Sequence, residues 1–289
     1  MCSGPCGRNN NFRCTAVSGG TTIETVTATK IPGLVCNEAD YTYTTDTTKE
    51  TATITGYTGS DAGIILPSEL GGYPVTAIAP DAFDDNKTLV TVALSENITT
   101  IGSYAFENCT GLKSIYLPNI LTTINTGAFR YCSALEVVEL PDSIKTIGGS
   151  VFYNCTNLSS INYPLNWSNA GTSIFAGCSN LTTITIPEGV TSIPGSAFEG
   201  ASYLTAVSFP STLTSIGSYA FESCTGLTEI VLPDSVKTIN TGAFRNCSKL
   251  NSINYPVSWS NAGGSIFAGC SSLTSITVPE GVTAIPASA

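Results

Sequence analysis

The chain has 289 residues, a net charge of −10, one methionine and no histidine. Charged residues make up 11% of it, against a usual ~25%, while the apolar share of 42% is ordinary. This composition excludes a disordered acidic tail, a nucleic-acid binder with Lys and Arg gathered on one face, and the Ser-His and Cys-His catalytic pairs. No run of ~18 apolar residues suggests a membrane-spanning helix.

Residues 1–36 show no internal period and form an N-terminal arm with Cys2, Cys6, Cys14 and Cys36. The opening Met1-Cys2-Ser3-Gly4-Pro5-Cys6 has neither the basic start nor the apolar core of a signal peptide. Two disulfides are the first reading of the four cysteines, with three pairings open. A zinc site is the second reading, weakened by Cys-x3-Cys with long irregular gaps. The third is a lipid anchor on Cys2. Residues 37–80 alternate as strands, as in Tyr41-Thr42-Tyr43 and Thr51-Ala52-Thr53-Ile54, and are expected to cap the C-terminal part of the chain.

From residue 81 onward phenylalanine recurs every 23 residues, at Phe83, Phe106, Phe129, Phe152, Phe175, Phe198, Phe221, Phe244 and Phe267. A unit of that size cannot bury its apolar face alone, so residues 81–289 read as a solenoid of stacked copies. Each unit opens on a leucine, such as Leu112. An apolar pair two residues apart comes next, such as Ile115 and Leu117, and this is the signature of a strand with both side chains facing in. Proline closes eight of the nine strands, from Pro118 to Pro279. A second short extended piece succeeds it, as in Val190-Thr191-Ser192-Ile193, and then the Ala-Phe segment, with room for a turn or two of helix. The chain stops one residue before the next phenylalanine falls due, so an unfinished last repeat is expected. Near-identity of residues 101–118 with 216–233, and of 161–178 with 253–270, points to block duplication.

Three columns tempt a functional reading. Cys109, Cys132, Cys155, Cys178, Cys224, Cys247 and Cys270 share one repeat position. Ala201 fills the same place and no histidine accompanies them, so they read as buried apolar filler rather than a metal or disulfide ladder. Trp167 and Trp259 replace aliphatic residues, and Ala170 and Ala262 compensate three positions on, which is a packing swap rather than a sugar platform. Aligned hydroxyls such as Thr99, Thr122, Thr191 and Thr214 read as a solvated edge. Asn-x-Ser/Thr triplets, for example Asn97-Ile98-Thr99, are glycan acceptors only in a eukaryotic secreted protein. No metal, cofactor or catalytic residue is expected.

The recurring Leu-x-x-Ile-x-Leu-Pro, Val-x-x-Ile, Ala-Phe and Cys, with the lead-in Ala52-Thr53-Ile54-Thr55-Gly56-Tyr57 and Gly72-Tyr73-Pro74-Val75-Thr76, resemble the BspA-like leucine-rich repeats of bacterial surface proteins over roughly residues 51–289. The resemblance implies a curved solenoid, secreted or on a cell surface, that binds host proteins or other cells. It carries no catalytic residues.

The expected fold is therefore a mainly β solenoid, a right-handed curved stack of 23-residue units behind an N-terminal β cap. The expected function is binding or adhesion to a protein or glycan partner outside the cell. The strand face supplies the candidate residues Lys113, Tyr116, Glu139, Asn162, Thr185, Ser208, Asn254 and Thr277. The alternative is a structural subunit that associates head to tail through an open C-terminal end.

Overall fold

The computed structural model describes residues 34–163, 169–280 and 282, and, before them, the backbone of short strands within residues 11–29. Cys2, Cys6 and Trp167 lie outside the described residues, and with them the lipid-anchor reading. Of Cys14 only the backbone is described, and Cys36 is disulfide-bonded.

The repeat produces a β-solenoid. Each coil lays one short strand on a first parallel sheet, turns at its proline, and lays a second on another. Successive coils pair in register because the same columns align. In the first sheet Thr91–Ala93 pairs with Ser114–Tyr116, placing Val92 beside Ile115. In the second sheet Thr100–Ile101 pairs with Thr123–Ile124, placing Ile101 beside Ile124. The inward columns of both sheets meet the leucine and phenylalanine columns in one continuous core.

The Ala-Phe segment is the third side of each coil, and it is not helical. Among the described residues the only helix is a three-residue 3-10 turn, Glu38–Asp40. An α-helix would spend its N–H groups within its own coil. Here they alternate. The N–H groups of Tyr104, Phe106 and Asn108 reach the next coil's Thr126, Ala128 and Arg130 carbonyls at 2.9, 2.8 and 2.7 Å. The N–H groups of Ala105, Glu107 and Cys109 bond back to Gly102, Tyr104 and Phe106 of their own coil.

Two left-handed residues bracket each phenylalanine and make this alternation. The first column includes Asp81, Tyr104, Gly127 and Ser150, at φ of 58°, 58°, 65° and 56°. The second includes Asp85, Asn108, Tyr131 and Gly177, at φ of 59°, 60°, 61° and 76°. Such φ values strain most L-residues. Glycines in these columns are the mark that the turn leaves in the sequence. At Gly127 and Gly242 a second constraint acts, because the rings of Tyr104 and Tyr219 occupy the space a Cβ would need.

The phenylalanines form a stacked spine. Neighbouring ring centroids from Phe83 to Phe267 lie 4.7–5.9 Å apart with interplanar angles of 4–19°. Each buried ring contributes ~1.5–3 kcal/mol by burial, and ring pairs add ~0.5–1.5 kcal/mol. The cap extends the spine. Tyr57 sits 5.8 Å from Phe83, and Tyr41 sits 5.1 Å from Tyr57. Both tyrosines belong to an antiparallel hairpin, Tyr41–Asp46 with Thr51–Tyr57, whose second strand pairs parallel with Tyr73–Ile78 and so covers the first edge of the second sheet. On the other sheet Val35 bridges Ile64 beside the first strand.

Candidate interaction face

Much of the surface is committed to holding the coils together. Ser and Thr hydroxyls donate to backbone carbonyls 23 residues earlier in three columns. Thr99, Thr122 and Thr214 reach Thr76, Thr99 and Thr191 at 3.3, 3.2 and 2.9 Å. Ser159 and Thr205 do the same to Glu136 and Thr182 at 3.2 Å. Ser179 and Ser271 reach Thr156 and Ser248 at 3.4 and 3.2 Å. The hydroxyl edge is thus structural rather than merely solvated, since these hydroxyls add bonds between neighbouring coils, in two of the columns to a carbonyl that also accepts a backbone N–H.

The cysteine column works in the same way from the inside. The seven thiols are free and buried. Each S–H donates to the phenylalanine carbonyl of the preceding coil at 3.0–3.2 Å, as Cys109 does to Phe83 and Cys270 to Phe244. Burial pushes the thiols of Cys132, Cys155, Cys178 and Cys224 well above their ordinary range, which keeps them protonated donors. The thiols are more than filler, and in these four the protonated form is a poor nucleophile. Trp259 is 5% exposed and its indole N–H donates to the Asn261 carbonyl at 2.9 Å, so it packs as a core residue.

What remains free is the outward side of the first sheet. Strand geometry alternates sides, so the residues flanking each inward Ile or Val point out. Lys113, Glu139, Thr185, Ser208 and Thr277 are exposed, and Tyr116 is half-buried. Val137 and Val231, 55% and 64% exposed, are the apolar members of the same face. Burial, and after it the negative Asp142, raises the carboxyl of Glu139 above its ordinary value.

Three positions depart from the expected face. Ala93, in the outward column, is fully buried. The amide of Asn162 is consumed by the chain itself: it accepts from the Leu140 N–H at 2.7 Å and donates to the Leu140 carbonyl at 2.8 Å. Asn254 does the same to Leu232, at 2.6 and 2.8 Å. These amides stand in for a peptide unit beside the strand end and have little left for a ligand. Among the described residues, no group of three or more His, Cys, Asp or Glu could hold a metal ion, and no helix is long and apolar enough to cross a membrane.

The sequence matches the family model described as BspA type leucine rich repeat region, in six copies, over residues 76–205 and 168–289. Among solved structures, a leucine-rich-repeat protein of T. pallidum is 30% identical with a TM-score of 0.61, over 66% of this chain and 90% of that one. A leucine-rich-repeat protein from Bacteroides ovatus is 22% identical with a TM-score of 0.44, over 84% of this chain and 94% of that one. The pneumococcal vaccine antigen PcpA is 23% identical with a TM-score of 0.48, over 79% of this chain and 67% of that one. No curated protein matches the sequence. With more than half of its length matched by the model, the chain belongs to the BspA-type leucine-rich-repeat family.

Proposed function

We propose that this chain is a secreted or cell-surface binding protein that holds a protein or glycan partner on the outward side of its first sheet. One observation carries the reading. The hydroxyl, thiol and asparagine columns spend their polar groups on neighbouring coils. Lys113, Val137 and Glu139, exposed, and Tyr116, half-buried, instead present an amine, an apolar side chain, a carboxylate and a ring on the outward side. An aromatic beside opposite charges makes a good anchor. Family membership supports a repeat-built display surface, and the absence of histidine argues for recognition rather than acid–base chemistry.

The test is a screen of the chain against a printed glycan array and a panel of extracellular-matrix proteins. The double variant Tyr116→Ala, Glu139→Ala is then measured on whatever binds. A loss of more than ~1 kcal/mol in affinity is expected. Unchanged affinity in a folded variant would move the site off this face. Light scattering across a concentration series separates the alternative, since mass that grows with concentration favours head-to-tail assembly over display.

A further inference from the structure

Three backbone ladders join each coil to the next: the first sheet, the second sheet and the phenylalanine turn. They are not equally continuous. The turn ladder runs unbroken from Asp81, which donates to Ser103, to Asn246, which donates to Ala268. The first sheet is interrupted. Its strands form a five-stranded group from Gly63–Ile65 to Ser160–Ile161, then a pair Thr183–Thr185 with Ala206–Ser208, then a pair Glu229–Ile230 with Ser252–Ile253.

The breaks track the residue two places after each inward Ile or Val. Where it is Leu94, Leu117, Leu140, Ile186 or Leu232, the next coil pairs. Where it is Tyr163, Phe209 or Tyr255, the next coil does not pair among the described residues. An aromatic ring in an aliphatic slot needs extra depth between coils. Phe209 leans edge-on against the Phe221 ring of its own coil, at 5.8 Å. The connecting bonds go with it. The Thr205 N–H donates to the Thr182 carbonyl at 2.9 Å and that of Asn251 to Thr228 at 2.9 Å, but among the described residues the N–H groups of Thr182 and Thr228 have no such bond across the breaks.

At one junction the second sheet is interrupted as well among the described residues. Asn169–Ala170 ends one sheet, and Ser192–Ile193 begins another. Elsewhere the residue after the inward isoleucine continues the ladder through its N–H, as Gly148 does to Ile124 at 2.8 Å and Gly217 to Ile193 at 2.9 Å. Here that residue is Pro194, which has no N–H to give. The spine stays closed across the same junction, with Phe175 and Phe198 at 5.5 Å and the Phe175 N–H donating to the Ala197 carbonyl at 2.9 Å.

We propose that the junction between the Phe175 coil and the Phe198 coil is a hinge, set by Tyr163 and Pro194, at which two stacks bend about the phenylalanine spine. The stack on one side carries Lys113, Tyr116 and Glu139, and the stack on the other carries Thr185 and Ser208. Bending changes the angle between the two parts of the outward face. The hinge is independent of whether that face binds anything.

Amide hydrogen exchange on the full chain tests it. The N–H groups of Thr182 and Thr185 should exchange at least about tenfold faster than those of Thr205 and Ser208, which occupy the same places inside a closed pair. The double variant Tyr163→Leu, Pro194→Gly supplies the aliphatic slot and the missing donor, and should slow exchange at Thr182 and Thr185 to the level of Thr205 and Ser208. Pro194→Gly alone leaves the core untouched and should slow exchange at the neighbours of residue 194 in the second sheet. Small-angle scattering of the double variant should show a narrower spread of maximum dimension than the parent. Equal protection on the two sides of the junction in the parent chain would overturn the hinge, and so would variants that fold but exchange no more slowly.

Discussion

The cysteine column makes a prediction that separates two accounts of the same buried atom. Cys155 is fully buried, and its S–H lies 3.2 Å from the Phe129 carbonyl. Cys155→Ala removes one heavy atom, worth ~0.8 kcal/mol by area and somewhat more with the cavity left behind. It orphans nothing, because the Phe129 carbonyl still accepts the Cys132 N–H at 3.1 Å. The expected loss is ~1–2 kcal/mol. Cys155→Ser is the informative partner. If the column is a donor ladder, the hydroxyl takes over the bond to Phe129 and the serine variant is no less stable than the alanine variant. If the thiol is only filler, the serine buries an unsatisfied hydroxyl and falls below alanine by a further ~1–3 kcal/mol. Ala201→Cys restores a missing member of the column, between Cys178 and Cys224, and should raise stability. Urea unfolding monitored by circular dichroism measures all three, provided that the slope stays constant between variants. A serine variant clearly weaker than the alanine variant would refute the donor account.

Other consequences can be measured on the same protein. The raised thiols imply alkaline lability. Above the ordinary value of 9.0 an unfolded thiol loses its proton while the folded one keeps it. The unfolded state then binds fewer protons, so stability should fall with pH by up to ~1.4 kcal/mol per unit for each such thiol; a flat urea midpoint from pH 8 to 10.5 would contradict it. Asn254→Ala strips both bonds from Leu232 and should cost ~1–3 kcal/mol, read as a lower melting temperature, whereas an unchanged melting temperature would make that amide a candidate ligand contact again. Glu139→Gln should stabilise the fold at pH 7, because a carboxyl raised by burial is held there in its less favoured charged form. The gain should vanish below the ordinary value of 4.5, where the acid is protonated in both states.

The architecture was open to reading because a fixed spacing translates directly into register. Val92, Ile115 and Val138 line up in space because they line up every 23 residues. The turn conformation was harder to see. A short Ala-Phe segment between polar residues fits a helical turn by composition, and only scattered glycines, such as Gly127 and Gly177, mark the left-handed positions. The breaks in the first sheet were hidden for a different reason. Tyr163, Phe209 and Tyr255 keep the column apolar, so the pattern of burial is undisturbed. What changes is volume between coils, and periodicity does not report volume. The candidate face was legible as two outward columns, but not which members were already engaged. Asn162 and Ser208 look alike in a polar column, and only the three-dimensional arrangement separates an amide bonded to a backbone from an exposed side chain.

The abundance of Ser and Thr is therefore a weaker clue to location than composition alone suggests. A polar, weakly charged surface suits a protein outside the cell. In this fold, however, much of that hydroxyl content has an internal cause. A coil that turns corners leaves carbonyls at fixed places, and a β-branched or small hydroxyl residue can reach the carbonyl one coil back without a long, entropically costly side chain. The same demand is met inside the core by cysteine, where a hydroxyl would be harder to desolvate. Composition in a solenoid thus reports first on how coils are joined. The argument for a surface binding role rests instead on the family and on the few side chains, led by Tyr116, Glu139 and Lys113, on the outward side of the first sheet.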